Sequence, residues 1–152
     1  DFRQLLKRMS MKSSARNQFA GPIVGIKEGI VECEACVRLD EQLNLVAVIT
    51  RESAENLGLK VGKEVSALVK SSSVLLMRES DTRISARNRF CGEVSRIHEG
   101  PVNTEVSIML PGGRYVVTAV ITHESLEKLE LKQGVSACAV FKASSVLLAV
   151  TE

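Results

Sequence analysis

A set of hydroxyl and cationic side chains occurs twice in this sequence, with nearly the same spacing each time. The first copy consists of Ser14 and Arg16 in "SARNQF", Thr50 and Ser53 in "TRES", and Lys70 and Ser71 in "KSSS". The second copy consists of Ser85 and Arg87 in "SARNRF", Thr122 and Ser125 in "THES", and Lys142, with Ala143 in place of Ser71. The offset is 71 residues at the S-A-R-N segments and 72 residues at the T-x-x-S segments. The chain is therefore a tandem duplication.

The T-x-x-S segments predict an anion site. Thr50 ends an apolar run and Ser53 lies three residues later, so both hydroxyls are expected at the N-terminus of a short helix. That end carries unpaired N–H groups and a partial positive charge, which together favour an anion. Plain helix capping explains these two residues taken alone, and solvated surface positions explain Lys70 and Arg16. Their joint return in the second copy favours a shared role.

The recurring groups are all hydrogen-bond donors: cations, hydroxyls and the backbone amides near Ala15. No carboxylate, Cys or His recurs with them. Such a set suits a small, fully ionised oxyanion, whose oxygens only accept hydrogen bonds. It does not suit a metal cation, which needs carboxylate, thiolate or imidazole ligands. No general base or nucleophile–base pair recurs either, so the sequence predicts a protein that is not an enzyme.

Length and composition limit the function classes. The 152 residues divide into two repeats, and units of about 70 residues are only marginally stable alone, so we expect them to pack on each other or on a second chain. The net charge of +2 and the aromatic content of 3% disfavour an OB-fold nucleic-acid binder. No apolar run approaches the ~20 residues that span a membrane.

Four cysteines are present, at positions 33, 36, 91 and 138. Cys33 and Cys36 form a C-x-x-C within a predicted strand, where residues three apart point to opposite faces, so they are not expected to share a metal. We therefore expect no bound metal cation and predict reduced thiols, as in a cytosolic protein.

Each repeat is predicted to form five short strands and one small helix. The segment "VECEACVRL" alternates apolar and polar residues as a half-buried strand does, and "NLVAVIT", "KEVSALVK" and "SSVLLM" are further strands. The helix is "RESAENLGL", after the third strand, with Gly58 as its C-terminal cap. This order predicts an all-β fold of two tandem OB-like five-stranded barrels, each with one short helix. The predicted barrels span residues 13–79 and 80–152.

Residues 1–12 are predicted to form a linker helix and a connector. Apolar residues recur there at helical spacing, at positions 2, 5, 6 and 9, and no nearby segment covers them. The chain also begins at Asp1, so we expect a fragment joined to a missing upstream domain, or a helix that makes a dimer contact.

The segments "SARNQFAG" and "VITRESAENLGLKVGKEVSALVKSSSVLLM", together with their second copies, resemble the Mop domain. This domain is the molybdate-binding module of molbindins and of ModE-type molybdate-responsive transcription regulators. The resemblance covers residues 13–150 and implies OB-like barrels that bind molybdate or tungstate at interfaces between barrels.

The resemblance also implies a ligand set that is shared between subunits. One part is Ser14, Ala15, Arg16, Lys70 and Ser71, completed by Thr50 and Ser53 from a neighbouring subunit. The matching set is Ser85, Ala86, Arg87, Lys142 and Ala143, completed by Thr122 and Ser125. The sequence departs from the family where "SSS" follows the strand lysine instead of the frequent Ala-Pro-Trp, and where Phe19 stands instead of Trp. Ala143 removes one hydroxyl, which predicts a second site that is weaker or that depends more on backbone amides.

The basic, Leu-rich lead-in "DFRQLLKRMSMKSSARN" resembles the connector that follows the DNA-binding domain of ModE-type regulators. It implies the molybdate-sensing part of a cytoplasmic, homodimeric regulator, which contacts DNA only through a missing N-terminal domain and has no membrane partner. The alternative is a free-standing molbindin that stores or buffers molybdate, and a hexameric ring of barrels would favour that role.

Overall fold

The computed structural model describes residues 17–78 and 82–150, which form mainly strands. The strands in these ranges are β1 (Asn17–Glu28), β2 (Glu32–Asp40), β3 (Leu43–Thr50), β4 (Glu64–Val69), β5 (Leu75–Met77), β6 (Asn88–Glu99), β7 (Asn103–Met109), β8 (Val116–Thr122), β9 (Ser136–Phe141) and β10 (Leu147–Ala149). Two α-helices, α1 (Arg51–Leu57) and α2 (His123–Lys128), follow β3 and β8. Two 3-10 helices, Ser71–Ser73 and Ala143–Ser145, follow β4 and β9. The predicted order of strands and helix within each repeat is confirmed.

The strands form two antiparallel five-stranded sheets, one in each compact unit. The first sheet has the order β10-β4-β1-β2-β3, and the described residues of its unit are 17–69 and 143–150. The second sheet has the order β5-β9-β6-β7-β8, and its unit lies within residues 70–142. The predicted all-β class, with two OB-like five-stranded barrels, is confirmed.

The last strand of each repeat pairs in the sheet of the other repeat. β10 comes from the second repeat and pairs with β4, with Leu147 opposite Leu68. β5 comes from the first repeat and pairs with β9, with Leu75 opposite Val140. The compact units therefore differ from the predicted barrels at 13–79 and 80–152, whose bounds follow the repeats. The duplication explains the exchange, because "SSSVLLM" and "ASSVLLA" offer nearly the same strand to either sheet.

Each barrel is built around one long strand that changes partners. The first half of β1 pairs with β4 and its second half with β2, and β6 pairs likewise with β9 and β7. At the change of partner a Cβ on Gly21 would approach the Arg38 carbonyl oxygen to 2.0 Å, and one on Gly92 would approach that of Met109 equally closely. Glycine is therefore required at both positions.

Two of the four cysteines are joined, so the prediction of reduced thiols is wrong for this pair. Cys91 on β6 lies directly opposite Cys138 on β9, and the two form a disulfide. The sequence did not reveal the pair because the register of β6 and β9 is a tertiary property. Cys33 and Cys36 are free thiols on β2. Burial, and secondly the charge of Glu28, raise the pKa of the Cys33 thiol, so it is a poor nucleophile.

In residues 17–78 and 82–150, no helix has both the length and the apolar character needed to cross a membrane. The same residues contain no group of three or more His, Cys, Asp or Glu side chains placed to hold a metal ion. The linker helix predicted at residues 1–12 lies outside the described residues.

Candidate functional site

Each T-x-x-S segment forms a hydroxyl pair at the N-terminus of a short helix, as the sequence predicted. The Thr50 hydroxyl accepts the Ser53 N–H at 3.1 Å and donates to Ser53 Oγ at 2.8 Å. Thr122 and Ser125 repeat this arrangement at α2, at 3.1 and 3.0 Å. Because each threonine gives its proton to the serine, the serine hydroxyl keeps its own hydrogen for an outside acceptor. Each pair thus offers a donor to a ligand that has only acceptor oxygens.

The cationic residues of the second copy lie together at one end of the β6–β9 ladder. Asn88 pairs with Phe141, while Arg87 immediately precedes Asn88 and Lys142 immediately follows Phe141. Residues 85–87 run up to this end and are exposed or half-buried, and Lys142 is exposed. The S-A-R segment and the strand lysine of the second repeat therefore adjoin the same end of this ladder.

Within the second sheet, the hydroxyl pair and the cationic residues lie at opposite ends of β6. Glu99 ends β6 and pairs with Thr104, and the adjacent Asn103 pairs with Thr122. Asn88, which adjoins the cationic residues, begins β6. At ~3.3 Å per residue, the strand path between these two ends measures roughly 35 Å. The hydroxyl pair and the cationic residues of the second repeat are therefore not neighbours along the strands of this sheet.

The first sheet separates the same groups. Asn17, at the start of β1, pairs with Val69, and Lys70 follows directly. Thr50 pairs with Glu32, next to the far end of β1. Three of the predicted ligand residues, Ser14, Ala15 and Arg16, lie outside the described residues.

Ser71 and Ala143 each begin a 3-10 helix directly after a lysine. Both are buried, at 9% and 5% exposure. The helix of Ser71 lies against β8 in the second unit, and that of Ala143 lies against β3 in the first unit. The two copies therefore differ by one hydroxyl at a buried position beside the strand lysine.

His123 is a site neighbour that the sequence did not reveal. It is the first residue of α2, directly after Thr122, and its Nδ1 lies 2.8 Å from the hydroxyl of Thr104, which is fully buried. Its Nε2 lies 3.0 Å from the carbonyl oxygen of Gly100, so Nε2 donates and the ring ties the helix to the β6–β7 hairpin. The duplication concealed this role, because Arg51 occupies the matching position in the first repeat.

Exposed apolar side chains lie next to the hydroxyl pairs. In the β1–β2 hairpin, Ile30 is 92% exposed and Val31 is 70% exposed, and the Val31 carbonyl accepts the Arg51 N–H at 2.9 Å. Val102, in the matching hairpin, is 74% exposed. An open groove of about 240 Å³ is lined by Ile49, Ser53, Asn56, Leu57, Leu147 and Leu148. This apolar character is typical of a surface that another protein surface covers.

A protein-family model described as the TOBE domain matches this chain twice, at residues 13–76 and 84–148. The molybdenum transport protein ModE of Azotobacter vinelandii is 56% identical over 149 residues, which cover 98% of this chain and 55% of that protein. The molybdenum-pterin-binding protein MopA of Rhodobacter capsulatus is 44% identical, over 93% of this chain and 54% of that protein. The DNA-binding transcriptional dual regulator ModE of Escherichia coli (strain K12) is 34% identical, over 95% and 54% respectively. The chain spans about half the length of these relatives.

The solved structure of the cytoplasmic molybdate-binding protein ModG, with molybdate bound, resembles this chain with a TM-score of 0.89 and 48% identity. The similarity covers 93% of this chain and 100% of that one. These comparisons confirm the predicted resemblance to the Mop module. They also confirm the prediction of a protein that is not an enzyme, since these relatives are transport, binding or regulatory proteins by name.

Proposed function

The chain belongs to the TOBE domain family, with two tandem copies of the module, and from this premise we propose that it binds molybdate or tungstate as the ligand-sensing part of a transcription regulator. One observation carries the proposal. An all-donor set recurs in both repeats of a chain that is 48% identical to a protein whose structure holds molybdate.

The chemistry of the donor set matches a tetrahedral dianion. In the proposed second site, Arg87 and Lys142 offset the charge of the ligand, which is costly to bury unpaired. The Ser125 hydroxyl and the backbone amide of Ala86 add donors to its oxygens. The charged groups and the backbone amide of this set only donate, so a fully ionised oxyanion, whose oxygens only accept, suits it better than hydrogen phosphate, which also carries a proton. The first site uses the matching residues of the first repeat.

We propose that the two parts of each site come from two copies of the chain. Thr122 and Arg87 adjoin opposite ends of β6, which supports a site whose hydroxyl pair and cationic end come from different copies. Ile30 and Val102, exposed beside the hydroxyl pairs, supply apolar surface for that contact. An oxyanion with ligands from both copies stabilises the homodimer, because it binds the assembled state and not the separated chains.

In the intact regulator, oxyanion occupancy is proposed to control DNA binding. The ligand shifts a dimer between two arrangements only if it binds one of them more tightly. Two facts support this role: a relative is named as a DNA-binding regulator, and this chain spans about half of it. On this proposal, DNA is bound by a part of the protein outside this chain, and the protein works in the cytoplasm.

Mixing two defective variants tests the shared site. One variant carries Arg16→Ala and Arg87→Ala. The other carries Ser53→Asp and Ser125→Asp, which place a carboxylate against the anion while favouring the helix N-terminus. Each variant alone is expected to lose molybdate binding. After the two are refolded together, random pairing of copies restores about one quarter of the sites, since half of the dimers are mixed and each mixed dimer has half of its sites intact.

Equilibrium dialysis of the mixture against radiolabelled molybdate measures this recovery. Different affinity tags on the two variants establish that mixed dimers have formed. If mixed dimers form and no binding returns, each chain completes its own sites and the proposal of a shared site is wrong.

Storage of molybdate is the second candidate function. The observation that favours it is the similarity to ModG over the whole of that protein, which is described as a cytoplasmic molybdate-binding protein. Sedimentation of the molybdate-loaded chain distinguishes the two roles. A dimer supports the regulator, whereas a hexameric ring of barrels supports storage.

A further inference from the structure

The disulfide of the second sheet occupies a position that the first sheet fills without cysteine. Cys91 and Cys138 face each other across β6 and β9. The matching residues of the first repeat, Ala20 and Ser66, face each other across β1 and β4 in the same way. We propose that the Cys91–Cys138 pair is a reversible thiol–disulfide modification site that tunes oxyanion binding by the second repeat. The tuning rests on the proposed function, whereas the modification site itself does not.

The disulfide lies on the ladder that carries the cationic end of the second site. Along β6 the chain runs from Cys91 back to Arg87 in four residues, and along β9 it runs from Cys138 on to Lys142 in four. The bond therefore links the two strands that position both cationic side chains. Opening the bond loosens these strands relative to each other and leaves Arg87 and Lys142 with more freedom to lose on binding.

An aromatic contact lies between the disulfide and the cationic side chains. Phe90 is next to Cys91, Phe141 is next to Lys142, and their rings meet edge to face with centroids 5.3 Å apart. Phe90 is 3% exposed and Phe141 is 1% exposed. A change in strand separation at Cys91 is therefore passed to Lys142 through a packed contact. The first repeat has Val69 where the second has Phe141, so it lacks this contact.

The two cysteines differ in exposure, which favours attack at Cys91. Cys138 is 2% exposed, whereas Cys91 is only half-buried. A low-molecular-weight thiolate attacks Sγ of Cys91, the S–S bond breaks, and Cys138 leaves as a thiolate that takes up a proton. A second thiol resolves the mixed disulfide on Cys91, which yields two protein thiols and one small disulfide. In the reverse direction a small disulfide oxidises the two cysteines and is itself reduced to two thiols.

Of the other two cysteines, Cys33 does not compete for this exchange. Cys33 is 2% exposed, and its raised pKa keeps it protonated. Cys33 and Cys36 both lie on β2, and both are free thiols. An oxidised chain therefore has two free thiols under denaturing conditions, and a reduced chain has four.

Thiol counting and molybdate titration test the proposal together. The chain is equilibrated with oxidised or reduced glutathione, and thiols are counted with Ellman's reagent in denaturant. Molybdate is then titrated in an Arg16→Ala background, which leaves the second-repeat cationic set. We expect two thiols in the oxidised chain and four in the reduced chain. The oxidised chain should bind molybdate about three- to tenfold more tightly, because one or two long side chains lose less freedom on binding. The Cys91→Ala/Cys138→Ser variant reproduces the first-repeat pair and is expected to show no redox effect.

Each other outcome identifies what has failed. Four thiols after oxidation mean that the modification site does not exist. Equal molybdate affinities in the oxidised and reduced chains overturn the tuning of the second repeat. The same holds if an Arg87→Ala variant binds molybdate while the Arg16→Ala variant binds it in neither redox state. No molybdate binding in either background means that the proposed function has failed, and the thiol count then still decides the modification site.

Discussion

The two repeats build the same hydroxyl pair on different supports. After Thr50 comes Arg51, whose Nε lies 3.4 Å from the Glu55 carboxylate on the surface of α1. After Thr122 comes His123, which is bonded to a buried hydroxyl and to a hairpin carbonyl. The cap hydrogen bond is nevertheless 3.1 Å in both helices. The difference shows that the hydroxyl pair is set by its own two residues, while the surrounding residues decide how firmly it is held.

The cationic ends of the two repeats also differ, in one hydroxyl and in one covalent link. The first repeat has the extra hydroxyl of Ser71, where the second has Ala143. The second repeat has the covalent link between β6 and β9, where the first has Ala20 opposite Ser66. The first repeat therefore has more donors, and the second repeat has a more constrained ladder.

The largest expected effect comes from removing one guanidinium at a time. Arg87→Ala should weaken binding at the second-repeat set about 100-fold, because charge-assisted hydrogen bonds to an anion are lost. Arg16→Ala should do the same at the first-repeat set. Calorimetric titration with molybdate should show about half of the sites lost in each variant. Arg89→Gln is the matched control, since the first repeat has Gln18 at that position and Arg89 donates to the Thr82 carbonyl. Loss of all sites in either variant would contradict the expectation that the two repeats bind molybdate independently.

A smaller effect is expected from Thr50→Val and Thr122→Val. Each removes a helix cap, which should cost about 1 kcal/mol of unfolding free energy, and each weakens binding because the serine loses its partner. Urea unfolding measures the first effect and titration the second. Thr50→Ser and Thr122→Ser keep the hydroxyl and should behave like the original chain. Because His123 also holds α2, Thr122→Val should lose less stability than Thr50→Val, and the reverse order would contradict the role of that ring.

The exchange Ser71→Ala or Ala143→Ser isolates the single hydroxyl by which the donor sets differ. One hydroxyl that donates to an anion contributes about tenfold in affinity, so Ser71→Ala should weaken binding and Ala143→Ser should strengthen it by that factor. Titration of both variants beside the original chain measures the change. If both are unchanged, backbone amides rather than this side chain contact the ligand.

The smallest effect concerns the C-terminal ends of the two helices. Gly58 ends α1 at φ 64°, and the matching residue after α2 is Glu130 at φ 52°, a conformation that is strained for a side chain. Glu130→Gly should therefore stabilise the chain by about 0.5–1 kcal/mol, whereas Gly58→Ala should destabilise it by a similar amount. Urea denaturation gives both values. Destabilisation by Glu130→Gly would mean that a contact of the glutamate outweighs the backbone strain.

Local features of the fold could be predicted from the sequence because they depend on a few adjacent residues. Thr50 as an N-cap and Gly58 as a left-handed C-cap follow from the chemistry of one turn. The exchange of β5 and β10 could not be predicted, because the duplicated strands are so alike that the sequence does not say which sheet receives which. The pairing of Cys91 with Cys138 depends in the same way on a register between distant strands.

The candidate site was predictable in its residue types but not in its assembly. Duplication identified Thr122, Ser125, Arg87 and Lys142 as a set. The structure places Thr122 beside Ser125, and it places Arg87 and Lys142 at the same end of the β6–β9 ladder. The contact of His123 with Thr104 had no signal in the repeat, because the first repeat has Arg51. The ligand roles of residues 14–16 stay predictions, since these residues lie outside the described part of the chain.

Calorimetric titration of this chain with sodium molybdate, with sodium sulfate as the paired control, tests the central claim most directly. We expect tight binding of one molybdate ion for each repeat, with no heat from sulfate. Absence of heat with both anions would contradict it, and the doubled S-A-R-N segment would then be a feature of barrel construction alone.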